Sequence, residues 1–297
     1  MNKKHLCTLG LGLLLTLGAC ASIMNALEEA TDENSVIGKV ARGANRLRKS
    51  FQDLDPSEEH YIGRSVGAQI LAMPQYQLAD DPALLAYVER VGHGIVALND
   101  GVLRPFLDYR FGVLNTDEIN AFACPGGLIL VSKGLIKDAK SEDELAAVLA
   151  HEIAHVTLRH GVAAIQSANL VSAFQYLGAG AAQAAMSKED LDKLTDVFGD
   201  SIGDVVGTLV TSGYSRDAEE AADQLGRKFL AGAGYDPQAL VRMLGHMQGH
   251  AGGSGGMFAT HPAPQDRIQA LGGDLPFTAA ADALAARQQR FAAAFTH

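Results

Sequence analysis

Apolar and polar positions alternate along the chain with two different periods, and the change of period marks the elements. Asp55-Pro56 followed by Glu58 and Glu59 sets a helix start, with proline at the first position and acids in the first turn, for a helix running to Met73-Pro74. Asp81-Pro82 opens a second helix in the same way. Leu107 to Leu114 alternates as a strand does, and Leu128 to Val131 is a short apolar run after Pro125-Gly126-Gly127, so two or three strands are expected. Between Pro125 and Pro237 there is no proline, and the interval is rich in Ala, Leu and Glu at helical spacing, which predicts mostly helix. Asp236-Pro237 and Ala263-Pro264 read as later helix starts, and Gly249 to Gly256 as a mobile glycine-rich loop. The pattern is that of an α+β protein, mostly α-helical, with a small sheet and no fixed-period repeat.

Composition narrows the partners. Hydrophobic residues make up 47% and charged residues 20%, enough apolar surface for a sizeable core over 297 residues. Lys+Arg 24 against Asp+Glu 34 gives a net charge of -10, and a protein that grips phosphate backbones concentrates positive charge instead, so nucleic acid is not an expected partner. Lys3 and Lys4 precede an apolar run from Leu6 to Ala19, shorter than the roughly 20 residues of a bilayer span. The run ends in Leu17-Gly18-Ala19-Cys20, which resembles the lipobox of bacterial lipoproteins, where the cysteine is acylated and becomes residue one. Residues 1–19 are then a signal peptide, Cys20 the lipidation site and 20–53 a tether with the basic cluster Arg42, Arg46, Arg48 and Lys49. Ala21 after the cysteine points, by resemblance to bacterial sorting rules, to the outer membrane, and hence to a periplasmic body. The body spans 54–275, and 276–297 is expected as a C-terminal helix packed on it.

The chemistry concentrates in His151-Glu152-Ile153-Ala154-His155, an H-E-x-x-H motif. It lies in a stretch that Ser141 can cap and Glu144 can close as a capping box, so the motif sits on a helix. Residues four apart project from one face, so both imidazoles can meet one Zn²⁺, with Glu152 about 100° round and close enough to reach a water beside it. A third ligand is needed. Glu219 and Asp223, four apart on a second predicted helix, offer one carboxylate for metal and one to hold a ligand imidazole by its other N–H. Taken alone, such a pair reads as a solvated acidic face.

Context changes that reading. Ser215-Arg216-Asp217-Ala218-Glu219-Glu220-Ala221-Ala222-Asp223 resembles the second signature of the M48 family of zinc metallopeptidases, which includes the CAAX prenyl endopeptidases and bacterial periplasmic lipoprotein peptidases. Asn120 to Gly127, with Ile129 and Gly134-Leu135, resembles the family segment before the active helix, and Thr260-His261-Pro262 with Arg267-Ile268 its C-terminal signature. The matches run in family order from about Asn120 to Arg267. The resemblance implies a zincin-like (gluzincin) domain with a small sheet beside the active-site helix, one zinc ion per chain held by His151, His155 and Glu219, Glu152 as general base, and Asp223 supporting a ligand. Three protein ligands leave zinc the open position that catalysis requires.

His261 has two readings, either stabilising the oxyanion or filling the fourth metal position in a latent state. His160, five residues beyond His155, falls off the ligand face and reads as a polar contact. Gly127, Leu128 and Ile129 are expected on an edge strand that pairs with extended substrate. Cys124 reads as a small packed residue. Val162 to Gly213 is longer than the ligand helices need and reads as a cover over the cleft; a membrane span over Leu170 to Met186 within it is the rival, but that run is short and alanine-dominated. The expected activity is zinc-dependent endopeptidase cleavage of unfolded or misassembled envelope proteins. The alternative is a zinc-stabilised, chaperone-like binding module with little hydrolysis.

Overall fold

Asp55 starts the first helix as expected: its carboxylate accepts from the backbone N–H groups of Ser57 and Glu58, and Glu58 returns the bond to the Asp55 N–H, completing a capping box. In the computed structural model this helix, α1, spans Pro56–Ala72 and α2 spans Pro82–Ala97, capped by Asp81. The structure describes residues 54–164, 196, 199–200, 202–248, 261, 263–273 and 277–295. The chain divides into two units, Met1–Asp53 and Leu54–His297, and the description concerns the second. The signal, Cys20, the tether, the Gly249 to Gly256 loop and most of the expected cover between Val162 and Gly213 lie outside the described residues.

Three strands follow: β1 (Arg110–Leu114), β2 (Ala121–Cys124) and β3 (Leu128–Ser132). The expected first strand is shortened at its start because Asp108 adopts a left-handed φ of 62° and its N–H closes a turn on Pro105 O. The sheet order is β1-β3-β2, with β1 and β3 parallel, Phe111 opposite Ile129, and β2 and β3 antiparallel, Ala123 opposite Ile129. The tight Pro125–Gly127 turn joins β2 to β3 and lies under α1. A Cβ on Gly63 of α1 would stand 1.7 Å from Pro125 O, so only glycine allows this approach.

Further helices among the described residues are α3 (Lys133–Asp138), α4 (Glu142–Thr157), the single turn α5 (His160–Ala163), α6 (Arg216–Gly232), α7 (Ala239–Gln248), α8 (Pro264–Leu271) and α9 (Ala281–Ala293), with a π-helical turn over Thr208–Ser212 before α6. Helix α7 begins after Asp236-Pro237 rather than at Pro237, with the Asp236 carboxylate accepting from Gln238 N. Helix α4 is buried from Glu142 to Val156. A helix covered on every side must be central, and α2, α6, α7, α9 and the sheet all pack on it. Leu145, Leu149 and Ile153 fill the core with Val91, Ile129, Phe229, Leu240 and Met243. Among the described residues no helix is long and apolar enough to cross a membrane.

Candidate metal centre

Ser141 caps α4 through the Glu144 N–H, and two turns of apolar packing carry the helix to His151, Glu152 and His155 at the centre of the molecule. Ser215 caps α6 through the Ala218 N–H and sets the phase that turns Glu219 and Asp223 inward. The two helices approach closely at Gly226, where an added Cβ would lie 3.2 Å from the backbone N and Cα of His151. That contact brings residues 68 positions apart in the chain to a separation that shared ligation demands: His151 Nε2 is 3.6 Å from Glu219 Oε2, and His155 Nε2 is 3.4 Å from Glu219 Oε1.

The two Nε2 atoms are 3.0 Å apart. Donors about 2.0–2.1 Å from a tetrahedral ion lie about 3.3–3.4 Å from each other, so these separations fit a four-coordinate zinc. His151, His155, Glu219 and His261, all buried, each offer a donor atom within 4.8 Å of the others. His261 joins through Nδ1, which is 2.8 Å from both oxygens of Glu219. Imidazole and carboxylate are donors that zinc accepts, so the residues present fit the ion.

Around these four the charges are arranged in pairs. Asp223 Oδ1 lies 2.9 Å from His151 Nδ1, and Arg267 of α8 brackets the same carboxylate, Nε to Oδ2 at 2.9 Å and a terminal nitrogen to Oδ1 at 2.5 Å. Burial alone would raise the Asp223 carboxyl, but the Arg267 guanidinium and His151 hold it well below the usual carboxylate range. Burial, with His151 beside it, pushes the His155 imidazole well below its ordinary value and keeps it neutral, the form that ligates. Glu152 is 1% exposed, and burial raises its carboxyl against the pull of His151 and His261. Its Oε1 has no hydrogen-bond partner among the described residues. A buried acceptor without a partner beside a cluster of donors is a feature of a reacting group awaiting a proton.

The residues expected on an edge strand require a correction. Gly127, with φ 88°, leads into β3, and Leu128 and Ile129 are its first two residues; β3 is the central strand, paired with β1 on one side and β2 on the other. Its backbone groups are used within the sheet, so an extended substrate cannot add to it. The outer side of β1 is partly taken by the Gln77–Ala79 backbone, which bonds to Val113 O and Asn115 N. Among the described residues β2 pairs with β3 alone and packs beside α4. Cys124 is fully buried, its thiol pushed up to about 12 by burial, and it lies outside the donor cluster.

Three residues gain importance from the fold. Arg267 was visible only as part of a signature, Tyr214 only as the residue before Ser215, and His160 only as a polar neighbour. Tyr214 stacks its ring on His155, centroids 4.3 Å apart at 20°, and its hydroxyl is buried without a partner among the described residues. The aromatic residue just before the α6 cap was the available signal for it.

Comparison with known proteins agrees with this geometry. The profile described as Peptidase family M48 matches residues 82–274. The chain is 35% identical over 194 residues to the putative beta-barrel assembly-enhancing protease of Vibrio cholerae, covering 64% of this chain and 38% of that protein. It is 28% identical over 238 residues to the mitochondrial metalloendopeptidase OMA1 of Schizosaccharomyces pombe, covering 77% and 64%. It is also similar to the metalloprotease YcaL of Escherichia coli, 28% identical over 185 residues, covering 62% and 68%. The chain spans less than half the length of the beta-barrel assembly-enhancing relatives it matches.

Proposed function

The chain belongs to peptidase family M48, and from that premise we propose that it is a zinc-dependent endopeptidase acting on unfolded or misassembled polypeptides of the cell envelope. The observation that carries the reading is the buried set of two imidazoles and one carboxylate at ligand spacing, with the partnerless Glu152 oxygen beside it. His151, His155 and Glu219 would hold the ion, one per chain. When bound, zinc supplies a Lewis acid that polarises the scissile carbonyl and lowers the pKa of water towards about 7.

The side chains do the rest. Asp223, locked by Arg267, accepts the His151 Nδ1–H and keeps Nε2 turned inward. Glu152 Oε1 takes a proton from the attacking water and returns it to the leaving amine, a task suited to a carboxyl whose pKa burial has raised. His261 shares the donor cluster, a position from which it can either fill the fourth metal site in a resting state or stabilise the oxyanion. Relatives named for beta-barrel assembly support the envelope substrate, and the lipobox-like N-terminus supports a periplasmic body lipid-anchored through Cys20 to the outer membrane. Residues 54–275 form the peptidase domain, with 276–297 as its C-terminal appendage.

The test uses the full chain, an unfolded casein-type substrate and zinc analysis. Glu152→Gln is expected to keep its zinc while losing about 10²–10⁴-fold in rate. Glu219→Ala is expected to lose both zinc and activity. Equal cleavage by wild type and Glu152→Gln would refute the peptidase reading, and full zinc in Glu219→Ala would refute the ligand set. A binding module without hydrolysis predicts that neither protein cleaves while both suppress aggregation.

A further inference from the structure

The two imidazoles on α4 turn Nε2 toward the donor cluster and Nδ1 away from it, but their outward partners differ. His151 Nδ1 faces the Asp223 carboxylate. His155 Nδ1 instead lies 2.9 Å from Nδ1 of His160. A neutral imidazole that lends its Nε2 lone pair to a metal carries its hydrogen on Nδ1. His160 must then accept through Nδ1 and carry its own hydrogen on Nε2. With the Tyr214 ring flat against His155, the imidazole is held in its plane by the stack and in its rotation by His160.

His160 reaches this place by leaving the helix. On an uninterrupted helix a residue five positions on lies about 140° round, pointing away from its predecessor. Here α4 ends at Thr157, and Arg159 adopts a left-handed φ of 56° that swings His160 back beside His155. Arginine does not favour that conformation, and the surroundings hold it there. Its Nε donates to Glu59 Oε2 at 2.9 Å and a terminal nitrogen to Leu54 O at 3.1 Å, while Glu59 Oε1 accepts from the Gly126 N–H at 3.3 Å. Glu59 is buried while Arg159 keeps 30% of its side chain in solvent, so the bracket is sheltered from water on the carboxylate side.

We infer that His160 is a positioning residue of the metal centre, accepting the Nδ1–H of His155, and that Glu59 on α1, through Arg159, holds the left-handed turn that presents it. The inference rests on the zinc reading above and adds a second support, separate from the Asp223–Arg267 pair. It ties a ligand to a helix about 100 residues earlier in the chain, outside the two ligand-bearing signatures.

Zinc competition between the full chain and a chromogenic chelator tests this without reference to turnover. His160→Ala is expected to weaken zinc binding about 10–100-fold. His160→Asn, whose Oδ1 can stand where Nδ1 stood, restores most of the affinity. Glu59→Gln weakens zinc less than His160→Ala, and the double variant is no worse than His160→Ala alone. Metal-free thermal midpoints of the alanine and asparagine variants are expected to coincide, which separates positioning from folding. Unchanged zinc affinity in His160→Ala, or an asparagine variant as weak as the alanine one, overturns the proposal while leaving the zinc site standing. A wild-type chain that takes up no zinc overturns the site itself, and this inference with it.

Discussion

His261 decides whether the centre rests open or closed. Its Nδ1 lies 2.8 Å from each oxygen of Glu219, inside the donor cluster. If it fills the fourth position, His261→Ala opens the site: turnover of an unfolded substrate rises, and zinc is held less tightly. If it stabilises the oxyanion, the same substitution lowers kcat by about 10²–10³-fold with zinc unchanged. The geometry favours the rise, and kcat measured beside chelator competition separates the outcomes. At this scale, Glu152 and the two α4 histidines were legible from spacing, because a 3.6-residue helix carries positions four apart to one face. His160 was not, because its approach depends on a left-handed residue that no helical period foretells.

Between elements, the contact that matters is α4 against α6. Gly226 sits where an ordinary Cβ would press on the His151 backbone at 3.2 Å. Gly226→Val is expected to destabilise the fold by about 1–3 kcal/mol, an overpacking cost, and to weaken zinc because the two ligand helices move apart. A control lies on α7, where a Cβ at Gly245 would meet nothing within 4 Å. Gly245→Ala is expected to stabilise by about 0.5–1 kcal/mol through helix propensity alone, with zinc affinity unchanged. Urea unfolding of the two variants checks both signs. The helix starts at Asp55-Pro56 and Asp81-Pro82 were readable because caps are local chemistry. The central place of β3 was not, since the strand that flanks it on one side, β2, is a four-residue apolar stretch without a distinguishing alternation.

For the molecule as a whole, the C-terminal helix is tied to the start of the active helix. Arg290 of α9 donates through Nε to Glu142 Oε2 at 2.9 Å, and Tyr87 and Tyr235 give their hydroxyls to the same buried carboxylate at 3.3 and 3.1 Å. Arg287 reaches Asp143 at 2.9 Å and lies over the Tyr235 ring at 4.5 Å. Removing one partner of a fully buried ion pair costs about 3–5 kcal/mol, but Arg290 keeps 34% of its side chain in solvent, so Arg290→Ala is expected to cost less, about 1–3 kcal/mol. A drop of about 2–4 °C in melting temperature per kcal/mol would show it, and an unchanged melting curve would mean that the clamp contributes nothing.

What the chain alone determined was local: a zinc-type motif on a capped helix, a carboxylate pair on another, and the family whose signatures they resemble. These follow from periods and caps that act within a few residues. The tertiary structure decided which groups meet. It placed His261 against Glu219, Arg267 on Asp223 and His160 on His155, and it put β3 inside the sheet instead of at its edge. Those pairings depend on how closely helices can approach and on where a backbone turns left-handed. Both are settled by packing across long sequence separations, which no local pattern encodes.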